Sequence, residues 1–100
     1  MRPPAKLADL RSRIDLVDRE LVKLLLQRFE LVGQILEEKR NSHLPIRDAQ
    51  REKEILEKLS RAVASAPCME ELVSIFQGIL KVSCEYMQKK DRVDKAGSGD

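Results

Sequence analysis

Three observations predict an all-α protein. A heptad-like series of apolar residues runs through the first forty positions, and no proline occurs between Ala5 and Leu44. Prolines then separate two further segments with helical periodicity, and no segment alternates polar and apolar residues as a half-buried strand would. Hydrophobic residues make up 42% of the 100-residue chain but aromatic residues only 3%, so we expect a core of leucine, isoleucine and valine.

The first predicted helix covers about residues 6–40. A helix of that length extends about 50 Å, whereas a 100-residue globule has a radius of gyration near 13 Å. Its apolar stripe therefore needs cover from outside its own domain, and a second copy of the chain is the simplest cover. The stripe has steps of three and four if position 28 is counted, and its members are Leu7, Leu10, Ile14, Val17, Leu21, Leu24, Leu31 and Ile35.

Two shorter helices are predicted after a break at residues 41–45, where a proline disfavours helical angles in the residue before it. The second helix covers about residues 48–64, with Asp48 at the position of an N-cap. The third covers about residues 69–89. The remaining stretch contains Gly-Ser-Gly and is predicted to be a flexible tail over residues 91–100, which leaves residues 1–90 as the domain.

Composition argues against several classes of function. A net charge of +2, one Tyr and no Trp give neither the basic surface nor the stacking platform of a nucleic-acid-binding protein. No stretch reaches the roughly 18 apolar residues of a membrane span, and the first residues lack an apolar signal core, so we expect a cytoplasmic location. One histidine, and two cysteines without a C-x-x-C pairing, argue against a structural metal site.

Three basic residues of the first helix are candidates for anion binding. Arg28 lies within the apolar series, where a lone guanidinium is costly unless it is paired. Lys39, eleven residues later, returns to within about 20° of the same face. Arg11 lies about 100° away and could reach a neighbouring chain. Two interpretations stay open. The first is a wall that binds an anion. In the second, Arg28 pairs with an acid such as Glu52 or fixes the register of a coiled coil, and the other cations are solvated at the surface.

The second and third helices carry polar candidates with equally ordinary explanations. Asp48, Arg51 and Glu52 lie at the start of the second helix, where capping and ion pairing account for them without a ligand. Ser83 is a small polar residue on an otherwise apolar face of the third helix, one turn before Met87. Its hydroxyl either bonds to its own helix or faces a ligand.

A series of motifs spread over about residues 7–88 matches one known family. The Pro-x-x-Asp-x-x-Arg-Glu segment, with arginine and lysine at this spacing upstream, is its most specific part. The chain thereby resembles the all-helical (type II) chorismate mutases. The matching residues are Leu10-Arg11-x-x-Ile14-Asp15-x-x-Asp18, Leu24-x-x-Gln27-Arg28-x-x-Leu31, Lys39, Pro45-Ile46-Arg47-Asp48-x-x-Arg51-Glu52 and Ile75-Phe76-Gln77-x-Ile79-Leu80-x-x-Ser83.

The resemblance implies an intertwined homodimer of three-helix chains that rearranges chorismate to prephenate, an isomerisation of aromatic amino-acid biosynthesis. It implies that Arg11 reaches across from the other chain and that Arg11 and Arg28 contact substrate carboxylates. Lys39 is implied to contact the enol-pyruvyl group and its ether oxygen. The reaction is a one-step pericyclic rearrangement, so no nucleophile, metal or cofactor is expected.

The resemblance assigns further contacts to the second and third helices. Asp48 and Glu52 are implied to serve the ring-hydroxyl side of the substrate, and Arg51 and Ser83 to help hold it. Arg28, Lys39 and Glu52 are the residues expected to carry catalysis.

One position departs from the family pattern. The family usually has Gln or Glu four residues after the serine, donating to the ether oxygen, and this chain has Met87 there, with Gln88 one residue later. Either the third helix shifts locally so that Cys84 and Gln88 take the two roles, or Lys39 acts alone. Loss of one such donor lowers a rate by roughly 10²–10³, which predicts a mutase of reduced efficiency in the second case.

Three alternatives to the mutase remain open on the sequence alone. The first is a related lyase that eliminates pyruvate from isochorismate in the same type of pocket. The second is a non-catalytic helical dimerisation or regulatory module of the same fold, and the third is a bare coiled-coil adaptor. The sequence also leaves open whether the domain acts alone or as part of a fused enzyme.

Overall fold

The computed structural model describes the backbone of residues 3–97 and the side chains of residues 5–97. These residues form α1 (Pro3–Asn41), α2 (Ala49–Ala62) and α3 (Met69–Gly97), with no strand among them, which confirms the predicted all-α class. No helix within residues 3–97 combines the length and the apolar character that crossing a membrane requires. The chain divides into two compact units, Met1–Leu31 and Val32–Asp100.

The first unit consists of the N-terminal part of α1. The helix begins at Pro3, earlier than predicted, because proline is tolerated in a first turn whose N–H groups have no intrahelical acceptors. No side chain among residues 5–31 is buried. The exposed apolar residues of this unit include most of the predicted stripe, namely Leu7, Leu10, Ile14, Val17, Leu21, Leu24 and Leu31.

The end of α1 is fixed by a Schellman turn. The Leu44 N–H donates to the Lys39 carbonyl at 2.8 Å, and the His43 N–H donates to the Arg40 carbonyl at 3.3 Å. His43 adopts a left-handed conformation with φ of 54°, which this turn requires and which glycine usually supplies. The helix therefore ends at Asn41 through its own backbone geometry, four residues before the proline that predicted the break.

An N-cap sets the start of α2. The side chain of Asp48 accepts a hydrogen bond from the Arg51 backbone N–H at 3.0 Å, which satisfies one of the N–H groups that a helix start leaves without a partner. The helix ends at Ala62, two residues before the predicted Ala64. The capping role predicted for Asp48 is confirmed.

The core of the second unit is small and joins α1 to α3. Val32 and Leu36 of α1 form a buried cluster with Met87 of α3, and Ile46 from the α1–α2 connection packs against it. Leu36 is the most buried large side chain described, with 1% of its surface exposed. Leu80 of α3 is also buried, and α2 packs against α3.

α3 extends further than the sequence predicted. It begins at Met69, as expected, but continues to Gly97, eight residues beyond the predicted end at Lys89. Asp91 and Asp94 are helical and pair with Arg40 of α1, so the predicted end of the third helix is wrong. Residues 98–100 lie outside the described residues, and the division into a domain of residues 1–90 and a flexible tail stays a prediction.

Replacing His43 with glycine is expected to stabilise the protein. The left-handed conformation costs a non-glycine residue roughly 1–2 kcal/mol, part of which is offset by the greater freedom of glycine in the unfolded chain, so we expect a net gain of about 0.5–1 kcal/mol. Urea unfolding at fixed protein concentration measures the change. Ser42→Gly is the matched control, because Ser42 directly precedes His43 but has no positive φ and should lose stability. A loss for both variants would contradict this account of the turn.

Candidate functional site

A cavity between α2 and α3 in the second unit brings together two of the predicted site residues, Glu52 and Gln88. It has a volume of about 440 Å³, which is within the range of small-molecule sites. We call it the Glu52 cavity. Its lining residues are Arg47, Glu52, Leu56, Gln77, Leu80, Lys81, Cys84, Glu85 and Gln88.

The Glu52 cavity carries mixed charge. Arg47 Nε lies 3.7 Å from Glu52 Oε2, and Lys81 and Glu85 add one charge of each sign to the lining. A carboxylate accepts hydrogen bonds from hydroxyl groups, and the Gln88 amide both donates and accepts them. The cavity can therefore hold a small ligand that combines hydroxyl groups with an anionic group.

Ser83, predicted to help hold the ligand, and Met87, at the ligand-contacting position where the family has Gln or Glu, are both buried in the second unit. The Ser83 hydroxyl donates to the Ile79 carbonyl at 2.7 Å, which is the ordinary arrangement that the sequence left open. Met87 packs against Val32 and Leu36. The flexible thioether side chain of methionine suits such an irregular apolar space.

The cavity-facing side of α3 explains which residues the sequence analysis missed. Gln77, Lys81, Cys84 and Gln88 follow one another in steps of four, three and four, so they share one face of the helix. Counting back from Gln88 in such steps would have found Lys81. Arg47 was part of the family pattern but had been given no role.

A second cavity, of about 410 Å³, surrounds Lys39 at the end of α1. We call it the Lys39 cavity. The Lys39 ammonium group donates a hydrogen bond to the backbone carbonyl of Ile46, so its side chain is held along the segment that connects α1 with α2. The lining residues are Leu36, Lys39, Arg40, His43, Leu44, Ile46, Asp91 and Lys95.

Beside Lys39, Arg40 forms a cluster of ion pairs that the sequence did not predict. Its Nε lies 2.9 Å from Asp91 Oδ1, its Nη2 3.0 Å from Asp94 Oδ2 and its Nη1 2.9 Å from Glu37 Oε1. Lys95 and Lys90 complete what we call the Arg40 cluster, at 3.0 Å from Asp91 and 3.3 Å from Asp94. No local pattern links Arg40 to carboxylates 51 and 54 residues away.

The Arg40 cluster shifts the protonation of its members. Hydrogen bonds from Lys95 and then Arg40 lower the pKa of Asp91, and the bond from Arg40 is the main reason why the pKa of Asp94 is lowered. Hydrogen bonds to Asp91 and Asp94 in turn raise the pKa of Arg40. All three groups are therefore held in their charged forms.

The remaining predicted residues lie outside both cavities. Arg51 is exposed, with Nη1 3.8 Å from Glu54 Oε2, and the Asp48 side chain caps α2. Arg11 is exposed and Arg28 half-buried, and both belong to the first unit. Within residues 3–97, no group of three or more His, Cys, Asp or Glu side chains is placed to hold a metal ion.

Comparison with known proteins gives a family match. The family model described as chorismate mutase type II matches residues 10–88. A chorismate mutase from Methanocaldococcus jannaschii is 31% identical in an alignment of 95 residues that covers 90% of this chain and 96% of that protein. No solved structure matches the chain significantly.

Other similar proteins are longer than this chain. A bifunctional chorismate mutase/prephenate dehydratase from Aquifex aeolicus is 35% identical over 92% of this chain, but the match covers 26% of that protein. The T-protein of Haemophilus influenzae is 39% identical over 70% of this chain and 20% of its own length. The chain thus spans about a quarter or less of these two relatives.

Met87→Gln is expected to destabilise the protein. The substitution places an amide in the apolar cluster with Val32 and Leu36, and burying an uncompensated polar group costs about 1–3 kcal/mol. Met87→Leu is the control, since a swap that conserves volume costs less than about 1.5 kcal/mol. Urea unfolding of both variants measures the difference. Equal stability of the glutamine variant and the wild type would show that position 87 is not an apolar core position.

The Arg40 cluster is expected to lose its stabilising effect in acid. Because the folded protein lowers the pKa values of Asp91 and Asp94, their contribution is present above the pKa of the unfolded chain, about 3.9, and is lost as the pH falls through the folded values. The difference in unfolding free energy between wild type and an Asp91→Asn/Asp94→Asn variant should stay constant from about pH 7 to 5 and shrink below about pH 4. A difference independent of pH down to about pH 3 would contradict these pKa shifts.

Proposed function

The chain belongs to the type II chorismate mutase family, and we propose that it catalyses the rearrangement of chorismate to prephenate. The family match over residues 10–88 carries this proposal, because every residue predicted to bind substrate lies within it. Chorismate mutases are isomerases. The proposal is limited to the mutase reaction and does not include the prephenate dehydratase activity named for the longer relative from Aquifex aeolicus.

The rearrangement of chorismate needs positioned positive charges, which the basic side chains of this chain supply. One C–O bond breaks and one C–C bond forms within a single molecule, so the enzyme has to hold a flexible dianion in a compact conformation. Negative charge gathers on the ether oxygen as the C–O bond breaks, and a fixed positive charge beside it lowers the barrier. A millionfold acceleration corresponds to about 8 kcal/mol, which orientation and preorganised charge can supply together.

We assign the ether-oxygen contact to Lys39 and the substrate carboxylates to Arg28 and Arg11. The Lys39 ammonium lies beside a cavity and is held by the Ile46 carbonyl alone among the contacts described for it. A ligand oxygen can replace the Ile46 carbonyl as acceptor, or accept a further hydrogen bond from the ammonium group, without breaking an ion pair. Glu52, with Arg47 3.7 Å away, is the proposed partner of a ring hydroxyl.

We further propose that Gln88, rather than Met87, is the second donor to the ligand. Gln88 lines the Glu52 cavity together with Cys84, whereas Met87 is part of the buried apolar cluster. This favours the shifted arrangement in which Cys84 and Gln88 replace the pair of Ser83 and Met87.

A homodimer is part of the proposal. The apolar stripe of the first unit is exposed over nearly five turns, from Leu7 to Leu24, and fully burying one such side chain contributes about 1.5–3 kcal/mol. A second copy offers the same stripe in return, as a two-fold interface requires. It would also lend the Arg11 that the family pattern assigns to the neighbouring site.

We also propose a cytoplasmic location. The two cysteines, Cys68 and Cys84, are both free thiols, as is usual for proteins of a reducing compartment.

The mutase proposal is tested by following loss of chorismate and identifying the products. Wild type should convert chorismate to prephenate, and Lys39→Ala or Arg28→Ala should lower kcat/KM roughly 10²–10³-fold. Gln88→Ala should lower it on the same scale, while Lys89→Ala, an exposed neighbour outside both cavities, should leave it unchanged.

Two results would overturn parts of this assignment. Release of pyruvate from isochorismate, without turnover of chorismate, would make the protein a lyase. Turnover that survives Gln88→Ala would leave Lys39 as the only donor to the ether oxygen.

A further inference from the structure

The Arg40 cluster joins the last turn of α1 to the C-terminal part of α3. The guanidinium uses Nε, Nη1 and Nη2 for carboxylates that come from two helices. A planar guanidinium bonded in three directions cannot rotate without breaking at least one of these bonds. Arg40 is 27% exposed and Asp91 15%, so the central pair is partly shielded from water.

The cluster is also electrically balanced. Arg40, Lys90 and Lys95 match the three carboxylates of Glu37, Asp91 and Asp94. A closed set of this kind has little charge left to attract a ligand. Isolated surface ion pairs contribute little, but a network with well-aligned arginine bonds is the arrangement in which they do contribute. We therefore interpret the cluster as an ion-pair network that holds α1 and α3 together, and not as an anion-binding site.

The Arg40 cluster lies next to Lys39, the residue proposed to contact the ether oxygen. Arg40 directly follows Lys39, and the carbonyls of both residues accept the hydrogen bonds of the Schellman turn. Fixing Arg40 to α3 thus fixes the backbone from which the Lys39 side chain starts. Both Arg40 and Asp91 line the Lys39 cavity itself.

We propose that Arg40 is a positioning residue: its ion pairs with Asp91 and Asp94 hold the last turn of α1 on α3 and so determine where Lys39 presents its ammonium group. This inference rests on the proposed function for its catalytic consequence. A charge that acts on the transition state must sit in the correct place before the reaction, and a displacement of about 1 Å can cost 10²-fold in rate.

The kinetic test is a double-mutant cycle. Arg40→Met should lower kcat about tenfold and change KM less than about twofold, because the Lys39 contact strengthens in the transition state. In a Lys39→Ala background the same substitution should have almost no further effect on kcat. Arg92→Met, which removes an exposed arginine of α3, is the matched control and should leave kcat unchanged. Equal effects of Arg40→Met in both backgrounds would show a general loss of structure and overturn the proposal.

A second variant and an NMR measurement test the proposal even if Arg40→Met folds poorly or chorismate is not the substrate. Arg40→Lys keeps the charge but loses the planar fork, and should show the same split between kcat and KM in weaker form. The side-chain NMR signals of Lys39, assigned by their loss in Lys39→Arg, should shift in both Arg40 variants and not in Arg92→Met. Unchanged Lys39 signals would overturn the positioning role whatever the activity, whereas a wild type without chorismate turnover would overturn only the proposed function.

Discussion

The exposed apolar stripe of α1 is the constraint on which the rest of the protein depends. Among the described residues only Val32, Leu36, Leu80, Ser83 and Met87 are buried, while sixteen large apolar side chains are exposed. Small domains bury a limited fraction of their surface, and the apolar stripe of this 39-residue helix is exposed from Leu7 to Leu31. In the proposed function, a second copy of the chain covers this stripe and supplies Arg11 at the same time. Stability and catalysis then share one requirement.

The second unit shows how a small core can still hold charged groups in place. Its apolar cluster joins α1 to α3 through Val32, Leu36 and Met87. One turn further along α1, the Arg40 cluster continues the same contact with ion pairs. Lys39 lies between these two attachments, and its neutral partner, the Ile46 carbonyl, leaves its charge uncompensated by any carboxylate described for it. Such an ammonium is suited to a reaction that needs positive charge at a fixed point.

Periodicity and capping predicted most of the fold. The three helices and the N-cap at Asp48 follow from local rules, because helix periodicity and capping depend on residues within a few positions of one another. The end of α3 did not follow from such rules, since Asp91 and Asp94 are held by Arg40, more than fifty residues earlier. The segment itself carries only the weak local signal of two i,i+4 ion pairs, Lys90–Asp94 and Asp91–Lys95.

The candidate site was predictable only in part for a similar reason. The family pattern identified Glu52 and Lys39, and the structure places each beside a cavity. The pattern also pointed to position 87, but whether residue 87 is buried in the core or lines the cavity depends on which face of α3 packs against α1. Methionine there joins the apolar cluster, and Gln88 faces the cavity. Lys81 was missed because an isolated lysine on a helix is usually solvated.

Complementation between two inactive variants tests most directly whether a second copy completes the site. Arg11→Ala and Lys39→Ala chains are mixed, unfolded and refolded together so that chains exchange. If each site combines Lys39 of one chain with Arg11 of the other, random pairing restores about a quarter of wild-type chorismate mutase activity, although each variant alone is nearly inactive. A mixture no more active than the separate variants, or a wild type that sediments with the mass of one chain, would contradict the account.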